Sequence, residues 1–321
     1  MSIIELDEVS KRFAGVDAVK DLSFSIGQGE VIGLLGHNGA GKTTTMKMIL
    51  GLEAATSGNV RVLGCDPQTS AFQQAKYQIG FLPENVAFYG QLTGREVLAY
   101  FAKLKKVEKS RVLELLEQVG LAYACDRKVK TYSKGMKQRL GLAQALLQEP
   151  GVLLLDEPTV GLDPIATQDF YALIDELRQK GTTVMLCSHV LPGIEKHIDR
   201  VLILSGGELQ AQGTIAELRQ KAGLPSLIRL NGLGSQETVR DGLLARLPAL
   251  TMQPEVRLVN CSELEILVSA EDKPSVLTHL MVVCQGSSQT FQDIEIQSPS
   301  LEQLYRHFIH ADRKTSFGRH P

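Results

Sequence analysis

Two short strings in this 321-residue chain carry the residue types that phosphate chemistry requires. The first is GHNGAGKTT, made of Gly36, His37, Asn38, Gly39, Ala40, Gly41, Lys42, Thr43 and Thr44, and it fits G-x-x-x-x-G-K-[ST]. Its glycines let backbone N–H groups turn inward around phosphate oxygens, and Lys42 has the reach for the β- and γ-phosphates. The Thr43 hydroxyl suits Mg²⁺, and a helix opening here aims its positive end at the anion. His37 and Asn38 lie inside the loop, so their backbones matter more than their side chains. The second string is LLLDEP, residues 153–158. Asp156 at a strand's end can hold Mg²⁺ through water, and Glu157 beside it can orient an attacking water as base. Together the strings predict binding and hydrolysis of a nucleoside triphosphate.

Such a site needs a strand to deliver each string, and the pattern supplies them. VIGLL at 31–35 is apolar and runs into the glycine loop, and a helix is expected from Lys42 through MKMILGL. VLLLD at 152–156 is a continuous apolar run halted by Pro158, as a strand buried on both faces requires. TTVMLCS at 182–188 is another, VLILSGGEL at 201–209 reads as a hairpin, and IIELDEV and DLSFSI are earlier strands. Between them, the stretch from VLAYFAKL to about Leu116 reads as helical, SRVLELLEQVGL closes on Gly120, and a helix starts near Ser133. Alternating strands and helices predict a three-layer α/β core. Beyond Gly223 and Pro225 the order becomes strand, helix, strand, strand, helix, strand, helix, so a ferredoxin-like βαββαβ domain is expected. The expected division is therefore 1–222, with a helical subdomain near 85–150, then 223–311, then a frayed polar tail at 312–321.

Composition excludes several classes. Hydrophobic residues make up 43% and charged residues 22%, which suits a globular chain with a sizeable core and not a fibrous or disordered one. Lysine plus arginine total 34 against 36 acids, a net charge of −2 that announces no nucleic-acid partner. Cys65, Cys125, Cys187, Cys261 and Cys284 are scattered without a CxxC, as reduced thiols would be. The acid-bearing start MSIIELDEVSKRF is unlike a signal peptide, and no uncharged apolar run of about 18 residues is present to span a bilayer. The expectation is a cytoplasmic chain that reaches a membrane only through a partner.

The string TYSKGMKQRLGLAQALL, immediately before LLLDEP, resembles the signature motif of the ABC (ATP-binding cassette) ATPases, with Ser133 and Gly135 in its key positions. The resemblance implies an α/β P-loop NTPase fold of the ABC nucleotide-binding type, ATP and Mg²⁺ as ligands, and a homodimer sandwiching two ATPs. Ser133 and Gly135 would then meet the γ-phosphate held by the partner protomer. GLDP at 161–164 resembles the D-loop, placing Asp163 at the dimer seam, and SHV at 188–190 the switch histidine, making His189 a γ-phosphate contact. Phe13 sits where the family stacks an aromatic ring on adenine. In GFLPENVAFYG the family's Q-loop glutamine is replaced by Glu84, and a carboxylate remains a good ligand for a hard cation. Between Glu84 and Ser133 the family docks a helix of its membrane subunit, and AFYGQLTGREVLAYF is rich in aromatics there.

Longer strings narrow the resemblance. GFLPENVAFYG, LDEPTVGLDPIATQD, CSHVLPGIE and DIEIQSPSLEQLYR look like the NosF-type ATPase, which serves the copper-processing ABC exporter that matures nitrous oxide reductase. That implies a NosY-like transmembrane permease, a periplasmic NosD-like protein, and a place on the inner face of a bacterial inner membrane. The chain shows no CxxC, MxxM or histidine cluster, so copper chemistry is expected elsewhere. Cys261, Cys284, Met252 and Met281 are read as core packing, and the C-terminal domain as a dimerisation or regulatory element. Two alternatives stay open: an ABC-2-type exporter ATPase with unrelated cargo, and a soluble ABC ATPase outside transport. The single cassette, lacking coiled-coil or zinc insertions, argues against the second.

Overall fold

The computed structural model describes residues 2–189, 193–233, 236–247, 253–260, 262–286 and 290–316. It divides into two compact units, Met1–Thr214 and Ile215–Pro321. The first begins with β1 (Ser2–Phe13), β2 (Val16–Gly27) and β3 (Val31–Leu35), followed by α1 (Lys42–Ile49), β4 (Ser57–Val62), α2 (Phe72–Ala75) and β5 (Ile79–Leu82). Three longer helices follow: α3 (Gly94–Leu104), α4 (Ser110–Gln118) and α5 (Lys134–Ala145). The unit closes with β6 (Val152–Asp156), α6 (Pro164–Gln179), β7 (Thr183–Ser188), β8 (Arg200–Ser205) and β9 (Glu208–Gly213).

A six-stranded sheet in the order β5-β6-β7-β3-β8-β9 forms the centre, parallel except for β9. Every residue of β3, β6 and β7 is buried, as their unbroken apolar runs require of strands covered on both faces. One face carries Ile32, Leu34, Leu154, Met185 and Leu202 into a core shared with Met46, Met48 and Ile49 of α1. The same core receives Ile4, Leu6, Leu22 and Ile26 from a separate antiparallel sheet, order β2-β1-β4. The early strands therefore do not extend the parallel sheet but form a layer of their own. β4 (SGNVRV) offers too little apolar alternation to be read from sequence. Its start is fixed by Gly58, at φ +81°, where a Cβ would stand 2.2 Å from the Glu8 carbonyl oxygen.

The stretch from VLAYFAKL to Leu116, expected to be helical, holds two helices separated by a turn. α3 ends when Lys106 adopts φ +56°, with Val107 N–H returning to Ala102 O at 2.8 Å, a Schellman-type stop formed on a lysine. The lysine-rich KKVEK, residues 105–109, is the turn between the two helices. α4 ends as its glycine signals: Gly120 has φ +68°, and Leu121 N–H bonds Leu116 O at 2.7 Å.

The second unit comprises α7 (Ile215–Ala222), β10 (Ser226–Leu233), α8 (Gln236–Leu244), β11 (Glu255–Asn260), β12 (Glu263–Val268), α9 (Lys273–Gly286), β13 (Thr290–Gln297) and α10 (Leu301–Ser316). Its sheet order β11-β12-β10-β13, wholly antiparallel, is the ferredoxin-like arrangement. Ile228, Leu230, Leu264 and Ile266 meet Val239 and Leu243 of α8 and Val276 and Leu280 of α9. The unit starts earlier than Gly223, because α7 belongs to it: Leu218 is fully buried and Arg219 Nε donates to the Pro299 carbonyl at 2.8 Å. The stretch read as a polar tail from residue 312 continues α10 as far as Ser316, and 317–321 lie outside the described residues. Met281 is exposed on α9 rather than packed in the core, while Met252, Cys261 and the Cys284 side chain also lie outside the described residues.

Gly58→Ala is expected to lower the stability of the first unit by about 1–3 kcal/mol through backbone strain. A reduced urea midpoint with nucleotide-site residues untouched would show it, and an unchanged midpoint would refute the packing argument.

Candidate functional site

In a parallel sheet the carboxyl ends of the strands share one edge, and ligands bind in the crevice beyond it. Four neighbouring strands deliver polar residues to that edge. β5 leads to Glu84, β6 ends in Asp156 and Glu157, β7 leads to His189, and β3 leads through the glycine loop to Lys42 and Thr43. The sheet order therefore gathers at one edge residues that are more than 140 positions apart in the chain.

The glycine loop is pinned by close backbone approach. A Cβ on Gly36 would stand 2.7 Å from the Ala40 Cβ and 2.8 Å from the Leu204 carbonyl oxygen. One on Gly41, at φ +103°, would stand 2.7 Å from the Ala18 carbonyl oxygen. Lys42 opens α1 with its ammonium folded back onto the loop, 2.6 Å from Gly36 O and 3.3 Å from His37 O. His37, Asn38, Gly39 and Thr43 are exposed, Thr44 is half-buried and Ala40 is buried.

The buried Lys42 ammonium also faces Glu157, with Oε1 3.4 Å away, an ion pair completed by no hydrogen bond at that oxygen. Glu157 Oε2 is held by His189, 2.8 Å from Nδ1 and accepting from its backbone N–H at 3.2 Å. Glu157 takes φ +49°, a left-handed conformation uncommon outside glycine, and its N–H donates to Cys187 O at 3.0 Å. This turn at the strand end carries the carboxylate over to the lysine.

Asp156 is 4% exposed and accepts from the Thr43 hydroxyl at 3.0 Å. Burial pushes its carboxyl above the ordinary range; Glu157 and Glu84 push the same way, opposed by the Thr43 hydrogen bond and by Lys42. Glu84 is exposed, yet its charge is felt at Asp156. Excess carboxylate beside a hydroxyl, all oxygen donors, is the donor set a hard divalent cation takes. Thr43, Asp156 and Glu84 thus fit Mg²⁺. Burial also pushes the Cys187 thiol well up, so that cysteine is an inert strand residue.

The remaining expected residues stand apart from this cluster. Ser133 caps α5, its Oγ accepting from Met136 N–H at 3.2 Å. A Cβ on Gly135 would stand 3.1 Å from Leu162, and one on Gly161 2.8 Å from Lys134 Cδ, so the start of α5 packs on the 161–163 loop. Asp163 caps α6, accepting from Ala166 N–H at 2.8 Å. Among the described residues no hydrogen bond or ion pair joins Ser133, Gly135 or Asp163 to Lys42, Thr43, Asp156, Glu157 or His189. Phe13 ends β1 and is 41% exposed. It pairs with Val16, two residues ahead of the Ala18 carbonyl that abuts Gly41. Ala18, Leu204 and Gly207 frame the loop without carrying any motif; only packing reveals them.

Asp156→Asn removes a buried charge whose carboxyl is shifted upward. Sign follows from linkage: a raised carboxyl loses folded-state stability as pH rises through its ordinary pKa, so neutralising it restores that stability. The variant should melt a few degrees higher at neutral pH and converge with wild type in acid, while losing activity. A lower melting point at neutral pH would contradict the burial reading. Lys42→Ala should abolish measurable nucleotide binding, and normal binding would overturn the phosphate site.

Residues 19–160 match the family model described as ABC transporter. An uncharacterized ABC transporter ATP-binding protein of Bacillus subtilis (strain 168), YdbJ, is 44% identical over 212 residues, 65% of this chain and 68% of that protein. The linearmycin resistance ATP-binding protein LnrL of the same strain is 34% identical over 309 residues, covering 94% of this chain and 97% of that one. The solved structure of an ATP-binding subunit of an ABC transporter matches with a TM-score of 0.64 at 30% identity, over 69% of this chain and 94% of that chain. The chain belongs to the ABC transporter ATP-binding protein family and is an ABC ATPase, the ATP-binding motor subunit of a transporter.

Proposed function

We propose that this motor powers a NosF-type exporter in the maturation of the copper sites of nitrous oxide reductase. The observation that carries the ATPase mechanism is the buried cluster in which Glu157 lies between Lys42 at 3.4 Å and His189 at 2.8 Å. A γ-phosphate offers Lys42 and His189 a stronger anionic partner than one carboxylate, so ATP entering the loop draws both away from Glu157. The released carboxylate accepts a proton from water aligned for in-line attack, and His189 and Lys42 hold the charge that develops on the phosphoryl oxygens. Thr43, Asp156 and Glu84 would hold Mg²⁺, which would supply charge neutralisation at the phosphates. Gly36–Thr44 position the phosphates, and Phe13 stacks on adenine.

Among the described residues no hydrogen bond or ion pair joins Ser133 or Gly135 to Lys42 or Thr43, which supports their use by a second copy in a head-to-tail homodimer with Asp163 at the seam. A NosY-like permease docks on the helical subdomain, where Tyr89 and Tyr100 are 80% and 54% exposed. The chain then works at the inner face of the bacterial inner membrane, and a NosD-like protein acts on the far side. Among the described residues no helix is long and apolar enough to cross a membrane. The copper reading is supported by the strings GFLPENVAFYG and DIEIQSPSLEQLYR. A second reading, an exporter of unrelated cargo, is favoured by one observation: a relative matching 94% of this chain is a linearmycin resistance ATP-binding protein.

Glu157→Gln should keep ATP binding and lower turnover at least about 100-fold. Undiminished hydrolysis would overturn the assignment of the base. With this variant in place of the native gene, purified nitrous oxide reductase should lose the visible bands of its catalytic copper cluster while still being exported. A fully loaded reductase would refute the copper reading, and a simultaneous loss of antibiotic resistance would establish the second.

A further inference from the structure

Lys11 and Phe13 lie two residues apart at the end of β1, where the register with β2 shifts between Lys11 and Arg12. The Lys11 ammonium stands 4.6 Å from the centroid of the Phe13 ring. Its head is fixed from the other side, donating to the Ala54 carbonyl at 2.8 Å and pairing with Glu53 at 3.1 Å. Surface lysines ordinarily extend their heads into water, whereas this side chain is only 13% exposed. The ring beside it is far more open, so the aromatic group is held by the lysine and not the reverse.

We propose that Lys11 is the positioning residue of the base site, orienting Phe13 and tuning its ring to stack on the purine of a nucleoside triphosphate. The inference rests on the reading of Phe13 as the adenine platform. A cation on one face of an aromatic ring draws π density toward itself. The opposite face becomes less negative and a better stacking surface for an electron-rich purine. The Glu53–Ala54 anchor keeps the ammonium over the ring before nucleotide arrives, so stacking requires no further ordering of the side chain. The β1–β2 pairing sets the platform beside the phosphate loop, because Phe13 pairs with Val16 and the Ala18 carbonyl abuts Gly41.

The test is direct binding to the full chain by calorimetry in EDTA, which prevents turnover, with ATP and inorganic tripolyphosphate as probes. Lys11→Met should weaken ATP about three- to ten-fold, the scale of a cation–π contact, and leave tripolyphosphate unchanged. Lys11→Arg should restore ATP affinity, and adding Lys11→Met to Phe13→Ala should cost nothing more. ATP affinity unchanged in Lys11→Met, with Phe13→Ala impaired, would overturn the proposal. Equal losses of ATP and tripolyphosphate would also overturn it, by showing a structural role in the loop. Full ATP affinity in Phe13→Ala would instead refute the adenine platform itself. Should Lys11→Met fail to fold, Glu53→Gln, which loosens the anchor, gives the same discrimination between the two probes.

Discussion

The ion pair between Lys42 and Glu157 is the constraint to which the rest of the first unit answers. Both side chains are almost wholly buried, and charges withdrawn from water are costly unless each finds compensation. Lys42 finds it in two loop carbonyls and Glu157 in His189. Each of the three residues follows a different strand. The pairing therefore requires β6, β7 and β3 to lie side by side in one direction, which the parallel register provides.

The neighbouring carboxylates complete the electrostatics. Asp156 is buried beside Glu157 and feels Glu84 as well, so the edge of the sheet concentrates negative charge within reach of the Thr43 hydroxyl. Glu84 adds a further negative charge to this edge, and oxygen donors of this kind suit a hard divalent cation.

The second unit is built on different terms. Its sheet is closed by antiparallel pairing, with one face packed on α8 and α9. On the other face Arg229 of the central β10 meets Glu263, Glu265 and Glu295 from the two flanking strands. A one-residue slip would send Arg229 into the apolar core, so this network ties the register of three strands to their hydrophobic alternation. Its hydrogen bond to Glu265, reinforced by the other acids, raises the guanidinium pKa further.

The phosphate loop, the acidic strand end and the βαββαβ order were legible in the sequence because each is local. Glycines at fixed spacing, an apolar run stopped by Pro158 and period-two alternation all act within about ten residues. The chain alone specifies that a phosphate cradle, a carboxylate pair and two folding units must exist. It left undetermined what depends on contacts distant in the chain. β4 signals weakly because its strand identity comes from pairing with β1, and the stop at Lys106 uses a residue with no turn preference of its own. α7 precedes the Gly223 break yet packs with the unit beyond it, because its buried Leu218 and the Arg219–Pro299 bond outweigh the local punctuation. Only the tertiary structure decided that Glu157 turns through a left-handed residue to reach both Lys42 and His189, and that Lys11 is drawn from solvent onto Phe13. In each case a charged group settles where partners far apart in the chain compensate it, and no spacing rule along the chain records that.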